Sequence, residues 1–341
     1  MYTTPFLAAI ALTNIYSTSA SCLHNTNLHP RAVEEDGKSV KVPNFGYQGN
    51  VGPTNWQAID AENAQCAAGL NQSPIDIKVA ETAKTKPGDV RMDIPAGQTL
   101  TFENLGTNVE VLVEGTTTLG EKKFKLKQFH YHTPSEHKID GEYFPVEVHM
   151  VHEAEDNPNE IAVVGMLFQL TSEPTTTNTS SNSSSSSSTS ASTIFSTVLS
   201  SISSIPDPGN TTSLPPLDFS ALTSTMATTS FFSYTGSLTT PPCSEGVNFL
   251  VATEPLGMAV DTFNAMKKVV KFNSRFAQNA LGEPNLLQVS RLGLERVEAQ
   301  RWTVRQGVDV VPMPPPPAVE GEEAGRETVL LVVHSKREFR A

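Results

Sequence analysis

The chain is short of positive charge. It holds 24 Lys and Arg against 36 Asp and Glu, a net charge of −12 over 341 residues. A protein that tracks nucleic-acid phosphates needs a basic face, so no nucleic-acid partner is expected. Long apolar runs are also missing. None reaches the ~18 residues of a membrane span, and the run Val329–Val333 is too short for a span or a lipid-anchor signal. From Pro174 to Ser233 there is no Lys, Arg or His, and no internal repeat is found. Cysteine is scarce: Cys22, Cys66 and Cys243 are an odd number, so one is left over from any pairing.

Length alone suggests about two domains, and composition lowers that number. Residues 172–193 contain 17 Ser or Thr in 22 positions. Such a stretch cannot bury a core and is expected as a disordered insert. Just beyond it, Ile194, Phe195, Val198, Leu199 and Ile202 recur at helical spacing, which predicts a short amphipathic helix. Residues 5–16 (PFLAAIALTNIY) form a short apolar stretch with small residues after it. Thr18 and Ala20 fit the −3 and −1 positions of a signal-peptidase site. Residues 1–20 are therefore expected as a secretory signal, with a lipobox ending at Cys22 as the poorer alternative. Residues 21–42 are polar and expected as a flexible arm. The sequons at Asn178, Asn182 and Asn210 are candidate glycosylation sites and agree with export to the outside of the cell or the cell wall.

The rest reads as mainly β. Phe124-Lys125-Leu126-Lys127 alternates as a half-buried strand does, and Val109–Val113 and Val146–Val151 also read as strands. Ile161–Leu170 is nearly all apolar, as a central strand buried on both faces is. Val260–Phe276 reads as a helix with Phe263, Met266 and Val270 on one side. Residues 288–341 are rich in Arg and Glu and form a tail of uncertain order.

The strongest anomaly is histidine. Five of eight lie between positions 130 and 152: His130, His132, His137, His149 and His152. On a strand, His130 and His132 face one side and Phe129 and Tyr131 the other. His149 lies in a second predicted strand, on one face with Glu147 and Val151. Two imidazoles from one strand and a third from its neighbour can converge on a cation and leave a fourth tetrahedral position open, the arrangement of a catalytic zinc. No Cys is near in sequence to suggest a thiolate ligand. Gln128 and Glu147, at i−2 on the same faces, are placed to accept the second ring N–H of His130 and His149. His137 and His152 fit an ordinary reading better, as buried hydrogen-bonded side chains.

At these residues the chain resembles the α-class carbonic anhydrases. The motifs that carry the resemblance are FGYQGNVGPTNW (45–56), CAAGLNQSPIDI (66–77), QFHYHTPSEH (128–137), EVHMVH (147–152), AVVGMLF (162–168) and YTGSLTTPPCSEGV (234–247), in the family's order. The resemblance implies one catalytic domain over residues 43–287. Its fold would be a large, twisted, mostly antiparallel sheet with a few peripheral helices and a conical cleft open to solvent. It implies Zn²⁺ on His130, His132 and His149, with Gln128 and Glu147 behind them. It implies reversible hydration of CO₂ to bicarbonate through a zinc-bound hydroxide. Thr239 would accept a hydrogen bond from that hydroxide and donate one from its own hydroxyl to Glu136. Val151, Val163, Leu238, Val247 and Phe249 would line the apolar CO₂ pocket, and Thr240 its mouth. Tyr234 would bond His137. Cys66 and Cys243 would pair as in secreted members, leaving Cys22 over. Sulfonamide-type and anionic inhibitors are expected.

One departure matters for rate. Fast members carry a shuttle His in an N-x-G-H context, and here the segment reads Asn104-Leu105-Gly106-Thr107. Thr107 cannot carry a proton near neutral pH. Two other functions compete with the leading one: a zinc-dependent esterase using the same hydroxide, and a non-catalytic surface-binding module of the same fold.

Overall fold

Alternating apolar and polar side chains shape a computed structural model dominated by strands, which describes residues 22–172 and 186–305. The strands are β1 (Asp76–Ile77), β2 (Val90–Asp93), β3 (Leu100–Asn104), β4 (Val109–Leu119), β5 (Lys122–His132), β6 (Lys138–Ile139), β7 (Glu142–Tyr143), β8 (Val146–Ala154), β9 (Ile161–Thr171), β10 (Thr211–Leu214), β11 (Phe231–Ser237), β12 (Glu245–Ala252) and β13 (Leu256–Ala259). The helices are α1 (Gln65–Ala68), α2 (Ser186–Leu199), α3 (Ser220–Thr228), α4 (Val260–Val270) and α5 (Leu286–Arg305). The chain divides into two compact units, residues 1–292 and 293–341. In the second, residues 293–305 are helical. The site lies in the first.

Ten strands form one mixed sheet in the order β10-β3-β4-β5-β8-β9-β12-β11, with β2 on β4 and β13 on β9. Pairing is antiparallel except where β12 and β13 run parallel to β9. The predicted strands at Val109–Val113, Val146–Val151 and Ile161–Leu170 fall inside β4, β8 and β9. The predicted helix over Val260–Phe276 ends earlier: α4 stops at Val270, and Lys271 takes φ 60°. Met266 is buried, and Phe263 and Val270 pack against the core.

Each central strand has two working faces. Phe129 and Tyr131 on β5, Val148 and Met150 on β8, and Val164, Met166 and Phe168 on β9 all enter the main apolar core. Their neighbours in sequence line the opposite face. A bulge interrupts the β5–β8 register between Leu126, opposite His152, and Gln128, opposite Val151. The extra residue shifts the phase of the strand, so Leu126 joins Phe129 in the core instead of sharing a face with His130.

Two segments expected to be loose are structured in their described parts. The Ser/Thr-rich stretch is helical from Ser186 onward, because α2 ends in apolar residues that the spacing singled out: Ile194, Phe195, Val198 and Leu199, with Ile202 just beyond, are buried in the core, and Ala191 joins them. Asn178 and Asn182 lie outside the described residues. Asn210 is half-buried, and its carboxamide oxygen accepts the Asp207 N–H at 3.0 Å. The N-terminal arm is not free either: Cys22, Leu23, His24 and Thr26 are buried. Cys66 and Cys243 form a disulfide across 177 residues, beside Trp56 and Phe45.

The Phe195 ring meets Phe129, Tyr131 and Phe168 edge-on at 5.4–6.4 Å. Phe195→Ala is expected to cost about 3–5 kcal/mol, read as a lower midpoint in urea unfolding.

Candidate metal centre

Register brings the histidines together. On β5 and β8, His130 stands opposite His149, His132 opposite Glu147, and Gln128 opposite Val151. All of these side chains share the sheet face opposite the main core. The three imidazole centroids lie 4.7–5.4 Å apart, and the rings are buried.

The outer partner of each ring fixes which nitrogen is free. His130 Nδ1 donates to Gln128 Oε1 at 2.8 Å, because the Gln128 amide nitrogen donates elsewhere. His132 Nδ1 donates to the Asn273 carbonyl at 2.9 Å. His149 Nε2 donates to Glu147 Oε1 at 2.7 Å. The lone pairs therefore fall on His130 Nε2, His132 Nε2 and His149 Nδ1. His130 Nε2 and His132 Nε2 are buried without any hydrogen-bond partner among the described residues. Burial, with the neighbouring imidazoles, pushes the His130 pKa well down. Burial lowers His132 to about 4 and lowers His149 as well. All three rings are neutral at pH 7, the form that binds metal.

Glu147 is the hub behind them. Its Oε1 accepts from His137 Nδ1 and His149 Nε2, and its Oε2 from the backbone N–H groups of Glu136 and His137 at 2.9 and 2.8 Å. Burial alone would raise its pKa, yet the two imidazoles and their hydrogen bonds hold it well below the usual carboxylate range. Gly165 on β9 stands opposite His149. A Cβ there would come within 3.2 Å of Glu147 Oε1, so the position favours glycine. His137 Nε2 lies 2.6 Å from the Tyr234 hydroxyl, and His152 Nε2 bonds Thr117 at 2.9 Å, so both serve as buried partners outside the triad.

Glu136 Oε2 lies 3.5 Å from His132 Nε2 and 3.9 Å from His149 Nδ1. Burial pushes its carboxyl up to about 7, against the pull of His149, the Arg275 amide and the adjoining Thr239 hydroxyl. Asn273 and Arg275 escaped the sequence reading. Asn273 orients His132 and also receives the Thr133 N–H. The Arg275 amide holds Glu136 Oε1 at 2.9 Å, and its guanidinium donates to the carbonyls of Ser73 and Cys66. Both lie more than 120 residues from the histidine cluster, in a segment read as helix, and no motif or periodicity singled them out.

Val151, Val163, Leu238, Val247 and Phe249 form one apolar cluster, with Tyr234 stacked on Phe249 at 5.2 Å. The expected open cone is not what the structure has. Cys22 and Leu23 belong to that same cluster. The Cys22 thiol lies 3.3 Å from Thr239 Oγ1, its N–H donates to Thr240 Oγ1, and its carbonyl accepts from Gln128 Nε2. A thiol distant in sequence is thus near in space. Thr107, at the shuttle position, is buried.

Donor atoms of His132, Glu136 and His149 lie within 4.8 Å of one another, as do those of Cys22, His130 and His132. Neutral imidazoles with fixed outer partners and orphaned inner nitrogens suit zinc. The sequence profile of the eukaryotic-type carbonic anhydrases matches residues 51–292. The chain belongs to that family. A carbonic anhydrase of Nostoc is 29% identical over 245 residues, 71% of this chain and 82% of that protein. The fungal α-carbonic anhydrase of Aspergillus oryzae superposes with a TM-score of 0.64 at 40% identity, covering 72% of this chain and 98% of that one. The Thermovibrio ammonificans enzyme, solved with sulfanilamide, gives 0.57 at 31%, covering 69% and 95%.

Glu147→Gln keeps the size of the hub but turns one acceptor into a donor facing N–H groups. Zinc affinity is expected to fall ~10–100-fold, measured by competition with a chromophoric chelator.

Proposed function

We propose that this carbonic anhydrase is a secreted zinc enzyme that converts CO₂ and water reversibly to bicarbonate and a proton. The observation that carries this reading is the set of three neutral imidazoles, with ring centroids 4.7–5.4 Å apart and each outer nitrogen held by a partner, beside Thr239, Glu136 and an apolar cluster. His130 Nε2, His132 Nε2 and His149 Nδ1 would hold the metal. Zinc supplies the nucleophile at neutral pH, because it lowers the pKa of a bound water to ~7.

The remaining steps belong to the chain. Gln128, Asn273 and Glu147 keep each ring in the tautomer that ligates. Glu136, buried and anchored through the Arg275 amide, accepts the Thr239 hydroxyl proton. Thr239 can then only accept from the nucleophile, which turns a nucleophile lone pair toward the pocket. Val151, Val163, Leu238, Val247 and Phe249 give an apolar molecule such as CO₂ a site that water fills poorly. Thr240 contributes a hydroxyl beside it. Thr107 offers no group that titrates near pH 7, so the product proton leaves to external buffer.

Export is supported by the Cys66–Cys243 disulfide, since such bonds persist in oxidising compartments. Residues 1–20 as signal, and Asn178, Asn182 and Asn210 as glycosylation sites, complete that reading. Sulfonamides would compete at the metal.

The test is stopped-flow CO₂ hydration on the zinc-loaded full chain and on its Cys22→Ala variant, so that a thiol in the cleft does not mask the chemistry. Hydration should vanish on chelation, return with zinc, and climb with imidazole buffer concentration. Thr239→Ala should lower kcat/KM by about 100-fold. Zinc bound without hydration in either protein would replace the enzyme by a binding module. A fast, buffer-independent rate would reveal another proton path.

A further inference from the structure

The segment from Cys22 to Arg31 runs through the mouth of the site, and each of its first residues covers something the reaction needs. The Cys22 sulfur is buried within 4.8 Å of the donor nitrogens of His130 and His132. Those two Nε2 atoms have no hydrogen-bond partner among the described residues. The same sulfur contacts the Thr239 hydroxyl, and the Cys22 N–H occupies Thr240. Leu23 sits 3% exposed in the cluster of Val151, Val163, Leu238, Val247 and Phe249. Farther along, polar contacts fasten the strap to the rim: His24 Nδ1 to Glu110, Asn25 to the Lys127 carbonyl, Asn27 to Glu153, and Arg31 to Glu103.

We propose that Cys22–Arg31 is an intramolecular plug that holds the enzyme latent, with Cys22 Sγ as the fourth donor to the metal and Leu23 in the substrate pocket. The proposal rests on the zinc reading of the histidine triad. Three neutral imidazoles leave one tetrahedral position, and thiolate sulfur is a stronger zinc donor than water. On coordination the S–H bond breaks, its proton passes to water, and a sulfur lone pair makes the metal bond. Nothing is oxidised. A tethered thiol also competes at a high effective concentration. Residues 33–38 just beyond the strap are exposed, so one cut there would leave the plug held only by its own contacts.

The test is zinc X-ray absorption on the zinc-loaded full chain, paired with hydration rates. The spectrum should show one sulfur at ~2.3 Å beside nitrogens at ~2.0–2.1 Å. Cys22→Ala should keep the zinc, lose the sulfur, and hydrate CO₂ faster by ~10-fold or more, since the open form of such a two-state device is a minor population. Leu23→Asp, which expels the strap without removing a donor, should lose sulfur and gain rate in the same way. Zinc held by nitrogen and oxygen alone in the unaltered chain overturns the plug and leaves the zinc reading standing. So does a Cys22→Ala variant no faster than the parent. Absence of bound zinc in all the proteins, read directly from metal content, overturns both.

Discussion

Everything at the centre depends on one register, that of β5 against β8. Side chains on a strand alternate, so a slip of one residue would send His130 and His132 into the apolar core and Phe129 and Tyr131 to the opposite face. The register is defended from both sides. On the core face, Phe129, Tyr131, Val148 and Met150 pack beneath α2 through Phe195. On the other face, Glu147 binds His149 of its own strand and His137 of the loop that follows β5. A slip would cost core burial and the carboxylate's hydrogen bonds together. The geometry required for chemistry and the geometry required for folding are thus one constraint.

The centre also concentrates polar groups where water is excluded, which is costly unless each has a partner. Glu147 meets that condition with four donors. His132 meets it halfway, through the Asn273 carbonyl, and leaves one nitrogen open. His130 does the same through Gln128, so two buried ring nitrogens, on neighbouring rings, are left without a hydrogen bond among the described residues. The disulfide stiffens the same region from behind. Cys243 follows the Thr239–Thr240 loop, its N–H bonds the Thr240 carbonyl, and its carbonyl accepts from Gln72.

What was legible in the sequence was local. The H-x-H alternation, the second histidine strand, and Gln128 and Glu147 at i−2 all follow from a period of two, and the structure puts those side chains on one face. Phe195 and its helical neighbours were legible for the same reason, and they also limit what composition can say: Ser and Thr make a stretch look structureless, but a few apolar residues at the right spacing suffice to dock a helix. Asn273, Arg275 and Cys22 were not legible. Each acts across more than 100 residues through a backbone carbonyl, a backbone amide or a thiol. No periodicity records such contacts. The polar composition of residues 21–42 read as a free arm because its polar side chains find partners on the rim rather than water, a pairing that exists only after the sheet has formed.

The N-terminal segment is held by partners that only the folded sheet supplies. Taken singly, its rim contacts are the kind that contribute little at a surface: a histidine–glutamate pair, an arginine–glutamate pair, and three hydrogen bonds from two asparagines. Their acceptors are different, because Glu103 and Glu110 are fully buried. A buried carboxylate left without a cation is strongly disfavoured, so removing the strap exposes a cost inside the sheet as well as a cavity above the histidines. The rim carboxylates and the orphaned imidazole nitrogens therefore favour the same occupant from opposite ends. Acidic residues lining the mouth of a site for a neutral substrate have no evident role in binding CO₂. They have one in holding His24 and Arg31, and with them the thiol beside His130 and His132.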